Sequence, residues 1–163
     1  MARGLTSADI ALARKAFAGA IDYGRVRLVD GPAASVPARL AFAKGNPAIT
    51  IGSTVYFAKP FSADFAAPGG NAESFMHEMT HVWQYQRLGF ARFLLRYARE
   101  FAAVGAKANR MYAYQPGATK FVGAMLEAQA QMVGDYSEAL VAGREPKKAL
   151  LARNLAGSGV YGL

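Results

Sequence analysis

The chain holds only two histidines, and both fall in the stretch "FMHEMTHVWQ", residues 75–84. His77 and His81 stand four positions apart around Glu78. An imidazole nitrogen is a ligand for zinc, and a carboxylate can take a proton from water. On a helix turning ~100° per residue, two residues four apart lie about 40° apart on one face. Both rings would then reach one ion, with Glu78 beside it as the general base. H-E-x-x-H inside a helix is the pattern in which the histidines bind Zn²⁺ and the glutamate activates water. Phe75, Met76, Met79, Val82 and Trp83 supply the rest of that helix with an apolar face for a core.

Two histidines do not complete a catalytic zinc site, which takes three protein ligands and leaves a fourth position open. The chain has no cysteine and no further histidine, so the third ligand is expected among its 11 acidic residues. Asp9 and Asp22 belong to the first helix region, Asp30 and Asp64 to loops, and Glu100 sits among arginines. Glu127, in "FVGAMLEAQAQMVGDY", stands out. In a helix expected over about 119–142, Phe121, Met125, Gln129, Met132, Tyr136 and Leu140 line one side. Glu127 points nearly opposite, with Gly123, Ala130 and Gly134. A stripe with almost no side chains lets a second helix approach and brings the carboxylate to it. Glu138 shares that face but lies about 16 Å further along at 1.5 Å per residue. Asp135 is the second candidate.

The elements that must position these groups are also readable. Thr6 or Ser7 caps a first helix whose apolar positions are Ile10, Leu12, Phe17 and Ile21. Arg25–Val29 alternates as a strand. "RLAFAKG", "AITI" and "TVYFA" are β-prone runs, the last two joined by Gly52-Ser53 as a tight hairpin. Asn71 caps the motif helix, Gly89 ends it, and residues 90–104 form another. "NRMYAYQPG" reads as a connector with a short strand, Glu145-Pro146 opens a last helix, and residues 157–163 read as a flexible tail. The order predicts one α+β domain over residues 1–163.

Composition narrows the function. With 163 residues and 53% hydrophobic content the chain can bury a core. Asp9, Arg14 and Lys15 interrupt any signal-peptide core, and no apolar run reaches the ~20 residues of a membrane span. The expectation is a protein without a transmembrane segment, cytoplasmic as synthesised. A net charge of +8 would suit an acidic partner, but no nucleic-acid-binding motif accompanies it. Arg92, Arg96 and Arg99 recur at helical spacing beside Phe93, Leu94, Leu95 and Tyr97. That row is read as a solvated basic face over a core face, with docking on an anionic membrane or an acidic partner as the weaker reading.

With these residues placed, the chain resembles zinc metallopeptidases of the gluzincin kind, in which a glutamate on a later helix completes the site. More narrowly, it resembles the small H-E-x-x-H peptidase domains of contractile injection and type VI secretion systems, the Vgr-related proteins. The likeness runs over roughly residues 40–136, through "AFAKGNPAITIGSTVYFA", "HEMTHVWQYQ" and "YAY…LEAQAQMVGDY". The family's third-site pattern is glutamate, two polar residues and alanine; here it is "EAQA", with Ala128 in the first polar place. The resemblance implies a zincin-like fold, with a small, mainly antiparallel sheet on the active-site helix and a helical C-terminal half. It implies Zn²⁺ held by His77, His81 and Glu127, a peptide or protein substrate paired to an edge strand ("AITI" or "TVYFA"), and a secretion-apparatus partner with export by that route. Tyr112 and Tyr114 are each candidates for a donor to the reaction's oxyanion, or simply packing aromatics. The alternatives are a delivered wall-peptide hydrolase or toxin, and a non-catalytic, zinc-stabilised adaptor domain.

Overall fold

In a computed structural model describing residues 1–163, the first helix starts where the sequence sets its cap. Thr6 Oγ1 accepts from the Asp9 amide and Asp9 Oδ2 accepts from the Thr6 amide, a reciprocal capping box. The elements are β1 (Ala2–Gly4), α1 (Ser7–Phe17), β2 (Arg27–Asp30), α2 (Val36–Ala43), β3 (Ala48–Ile51), β4 (Thr54–Phe57), α3 (Ala72–Leu88), α4 (Phe90–Ala103), α5 (Leu126–Val141) and α6 (Glu145–Leu155). Single helical turns occupy Tyr23–Arg25, Ala108–Arg110 and Val160–Gly162.

The sheet runs β1-β2-β4-β3. β1 pairs with β2 and β3 with β4 antiparallel, while β2 and β4 run parallel with Arg27 opposite Thr54. The sheet expected to be mainly antiparallel is therefore mixed. A parallel pair needs a crossover between its strands. Here α2 and β3 carry the chain out to the sheet edge, and the hairpin at Gly52, φ +63°, returns it as β4 beside β2. β3 is left as an edge strand. Leu28, Val55 and Phe57 of the sheet pack with Leu12, Ala13 and Phe17 of α1 and with Phe75, Met76, Met79 and Val82 of α3. The expected apolar face of the motif helix is thus core.

Several expectations are corrected. "RLAFAKG" is helical: Ser35 caps it by accepting from the Ala38 amide, Pro37 suits the first turn, and Ala38 and Ala41 are its buried positions. α5 starts at Leu126, seven residues later than expected. Gly123 has φ +90°, which no helix accommodates, and residues 115–124 form turns instead. Buried Asn154 of α6 holds those turns. Its Nδ2 donates to the Gln115 and Thr119 carbonyls, its Oδ1 accepts from the Gly117 amide, and its own carbonyl accepts from Phe121. Neither that loop nor the "NRMYAY" connector contains a strand. The expected flexible tail is folded back instead: Val160 is a buried core residue, and the Tyr161 ring lies 4.5 Å from that of Tyr136. Two apolar side chains and the positive-φ turns at Gly157 and Gly159 account for that return.

No helix is long and apolar enough to cross a membrane. In the arginine row on α4, Arg92 and Arg99 are exposed, as a solvated face requires, while Arg96 donates to Glu100 at 2.7 Å and to the Ala124 carbonyl at 2.8 Å.

Candidate metal centre

α3 runs from Asn71, whose side chain accepts from the Ser74 amide, to Gly89, where φ +82° ends it. Along one stripe it carries Glu73, His77 and His81, each one turn further. α5 packs antiparallel against that stripe. Gly134 meets Glu73 at one end, and Glu127 meets both histidines at the other. The small-residue stripe expected to bring Glu127 in does so through Ala130 and Gly134, while Gly123 lies outside the helix.

Glu127 Oε2 lies 3.2 Å from His77 Nε2 and 3.1 Å from His81 Nε2. One ligand atom from each of the three residues falls within 4.8 Å of the others. Two ligands ~2.0–2.1 Å from a tetrahedral ion lie about 3.3 Å apart, close to the two histidine–glutamate separations. The two nitrogens and one carboxylate oxygen also match the chemistry of such a site. Asp135, the other candidate, is committed elsewhere, accepting from the Tyr114 hydroxyl and from Gln131.

The site's protons follow from its burial. Burial opposes a charged His81, but the Glu127 carboxylate and, more weakly, Glu78 outweigh it and hold the imidazole's pKa up at about 9. Burial likewise opposes a charged Glu127, yet the two imidazoles hold its carboxyl below the usual carboxylate range.

Gln84 was not anticipated from sequence. Its Nε2 donates to the Leu126 carbonyl and to Gln129 Oε1, both at 3.1 Å, so its Oε1 is the atom 2.8 Å from His81 Nδ1. A carbonyl can only accept, which fixes the amide, makes Nδ1 a donor and turns Nε2 toward Glu127. Gln129 continues the chain to the Phe121 carbonyl at 2.9 Å. Helical position had placed Gln129 on an apolar side, but it belongs to this buried polar relay. A ligating histidine is commonly oriented in this way through its other nitrogen.

Glu78 faces the same opening. Its Oε2 accepts from Thr50 Oγ1 at 2.7 Å, across the gap between α3 and β3. Of the two candidate tyrosines, Tyr112 lies at the site, its ring stacked on His77 at 5.7 Å and 16°. Tyr114 is engaged by Asp135. Tyr97 of α4 also lines the opening and had carried no signal beyond amphipathic spacing. Burial first, then the charge on Glu127, pushes both Tyr97 and Tyr112 well above the ordinary tyrosine value, so both keep their hydroxyl protons.

The opening is a cleft of about 330 Å³ with β3 on one side and α4 on the other. All four β3 residues line it. Their side chains alternate between faces, so what borders the cleft is the strand's backbone edge.

Residues 9–89 match the family described as the eCIS core domain, a span containing α1, the sheet from β2 to β4 and the H-E-x-x-H helix. No curated protein matches the chain. Among solved structures, the chain is similar to the effector domain of Pseudomonas aeruginosa VgrG2b, with 28% identity and a TM-score of 0.66. The likeness covers 95% of this chain and 82% of that one, and so extends past the family match into the C-terminal helices. Together the two matches support an association with contractile injection and type VI secretion systems.

Proposed function

We propose that this protein is a zinc-dependent peptidase with a zincin-like fold, acting as an effector domain of a contractile injection or type VI secretion system. One observation carries the reading. His77, His81 and Glu127 converge to ligand spacing, with the Glu78 carboxylate held beside them at the foot of a free strand edge. The similarity to the effector domain of VgrG2b supports the delivered role.

Zinc held by the three ligands would act as a Lewis acid, lowering the pKa of a water toward about 7 and polarising a carbonyl. The chain's own groups supply the rest. Thr50 fixes Glu78 Oε2 and leaves Oε1 without a protein donor, free to accept a proton from the attacking water and return it to the departing amine. The Tyr112 hydroxyl, kept protonated, donates to the oxygen that gains charge. The edge of β3 binds substrate backbone. Pro47 accepts from the Ala58 amide, so by ladder alternation Ile49 and Ile51 face β4. The Ala48 and Thr50 peptide groups therefore point into the cleft and can pair with an extended peptide.

Metal analysis of purified, unchelated protein is expected to give one zinc per chain. Glu78→Gln should keep that zinc while cleavage of an unfolded protein substrate falls ~10²–10⁴-fold, the usual loss for a general base. Protein without a stoichiometric divalent metal rejects the reading. A parent that binds zinc but cleaves nothing leaves a zinc-stabilised structural domain.

A further inference from the structure

α4 is unusual in this molecule because its apolar face is only half used. Phe93 is buried, but Phe90 and Leu94 remain 54% and 45% exposed. They are not scattered over the surface: both line the cleft across from β3. An aromatic ladder links them to the metal ligands. Phe93 meets His81 edge-on at 6.1 Å, Tyr85 stacks on Phe93 at 3.7 Å, and Phe90 stacks on Tyr85 at 5.5 Å. The cleft wall therefore runs as continuous apolar surface from the imidazole of His81 to solvent. No lysine or arginine lines the cleft, although the chain carries 19 of them. Its only acidic lining groups are Glu78 and Glu127, already engaged by Thr50 and by the histidines.

We propose that Phe90, Phe93 and Leu94, floored by Tyr85, form a specificity subsite for a bulky apolar side chain next to the scissile bond, so that the substrate is a protein segment. This rests on the peptidase reading above and decides between its substrates. A peptide whose backbone lies on the β3 edge sends alternate side chains to opposite faces of the sheet, one of which is the face that carries the metal ligands and opens to the cleft. One adjacent to the metal ligands would be directed at the α4 wall, where a leucine or phenylalanine covers surface now left to water. The cross-linking peptides of cell walls carry mostly methyl and charged side chains. The methyls would leave the wall uncovered, and the charges would be stripped of water against it without a partner.

The test is binding of peptide hydroxamates to the zinc-loaded full chain by calorimetry, which needs no turnover. The panel differs in the one side chain that follows the hydroxamate: leucine, phenylalanine, alanine, aspartate and lysine. The leucine and phenylalanine members are expected to bind about tenfold or more tighter than the alanine member, the scale on which an apolar pocket discriminates. Leu94→Arg should collapse that ratio toward one while zinc content stays at the parent's level. Leu95→Arg, at an exposed α4 position outside the cleft, should leave the ratio unchanged. Equal binding of all five members, or a preference for alanine or a charged side chain, overturns the subsite while the metal site stands. Failure of every member to bind a zinc-loaded chain overturns the peptidase reading, and the subsite with it.

Discussion

α3 and α5 meet at two places that do opposite work. At Glu127 the helices are held by charge and hydrogen bonds across a gap, with three ligand atoms sharing a space 4.8 Å wide. At Gly134, seven residues and about 10 Å further along α5, there is no gap. A Cβ placed there would lie 2.8 Å from the Glu73 carbonyl oxygen and 3.3 Å from Glu73 Cγ. The first contact consists of side chains that can rotate, the second of backbone that cannot. The rigid contact therefore fixes how far apart the helices stand, and the polar cluster takes the spacing it is given. The ligand geometry is inherited from packing one or two turns away.

The largest effect should come from emptying the polar contact. Glu127→Ala leaves two imidazoles and no carboxylate. Loss of one of three protein ligands should cost well over the ~10–100-fold that an outer partner costs. A chelator-competition titration reads this directly. Zinc held as tightly as by the parent would mean that Glu127 is a neighbour and not a ligand. Gln84→Leu comes next. It removes the acceptor that keeps His81 Nδ1 protonated, and strands Gln129 Oε1 and the Leu126 carbonyl. Zinc affinity should fall ~10–100-fold, and less for Gln84→Glu, which keeps an acceptor. Equal losses in the two variants would show that Gln84 fills space and does not orient the ligand.

The same contrast explains what the sequence could disclose. His77, Glu78 and His81 are set by helix geometry within five residues, and geometry that local needs no fold to be seen. Glu127 was legible because its approach needs small residues, and Ala130 and Gly134 leave that requirement written in the sequence. The start of α5 was not. It depends on Gly123 at φ +90°, on Glu100 Oε2 accepting from the Leu126 amide, and on Asn154 reaching back from α6. None of these is local. "RLAFAKG" misled because a short β-prone run says nothing of the Ser35 cap, four residues upstream, that starts a helix there. Thr50, Gln84 and Tyr97 had no signal as site residues, since each acquires its role only when another element is packed against it. The β3 edge is a further case: that "AITI" is a strand was plain from its residues, but that its outer side borders the cleft holding the Glu78 carboxylate is a matter of topology.

The smallest effect is the most discriminating, because its sign is at stake. Replacing a helix-interior glycine by alanine ordinarily stabilises a protein by about 0.5–1 kcal/mol, through backbone entropy and helix propensity. Gly134 lies inside α5 without a positive φ, so that gain is available to Gly134→Ala. The added methyl, however, would sit 2.8 Å from a backbone oxygen in the first turn of α3, which no rotamer change can move. The helices must separate by a few tenths of an ångström, and overpacking of this kind costs ~1–3 kcal/mol. The cost exceeds the gain, so the metal-free variant should unfold at a lower temperature than the parent, by a net of about 1 kcal/mol in stability. Gly19→Ala is the control, since a methyl there meets nothing within 4 Å and φ is not positive; it should keep the entropic gain and stabilise slightly. Zinc affinity should fall in Gly134→Ala as well, because a zinc–carboxylate oxygen distance of ~2.0–2.2 Å tolerates little displacement. If the variant is instead stabilised and holds zinc like the parent, the Gly134 contact has slack. The separation of the helices would then be set at the Glu127 end, by the polar cluster itself.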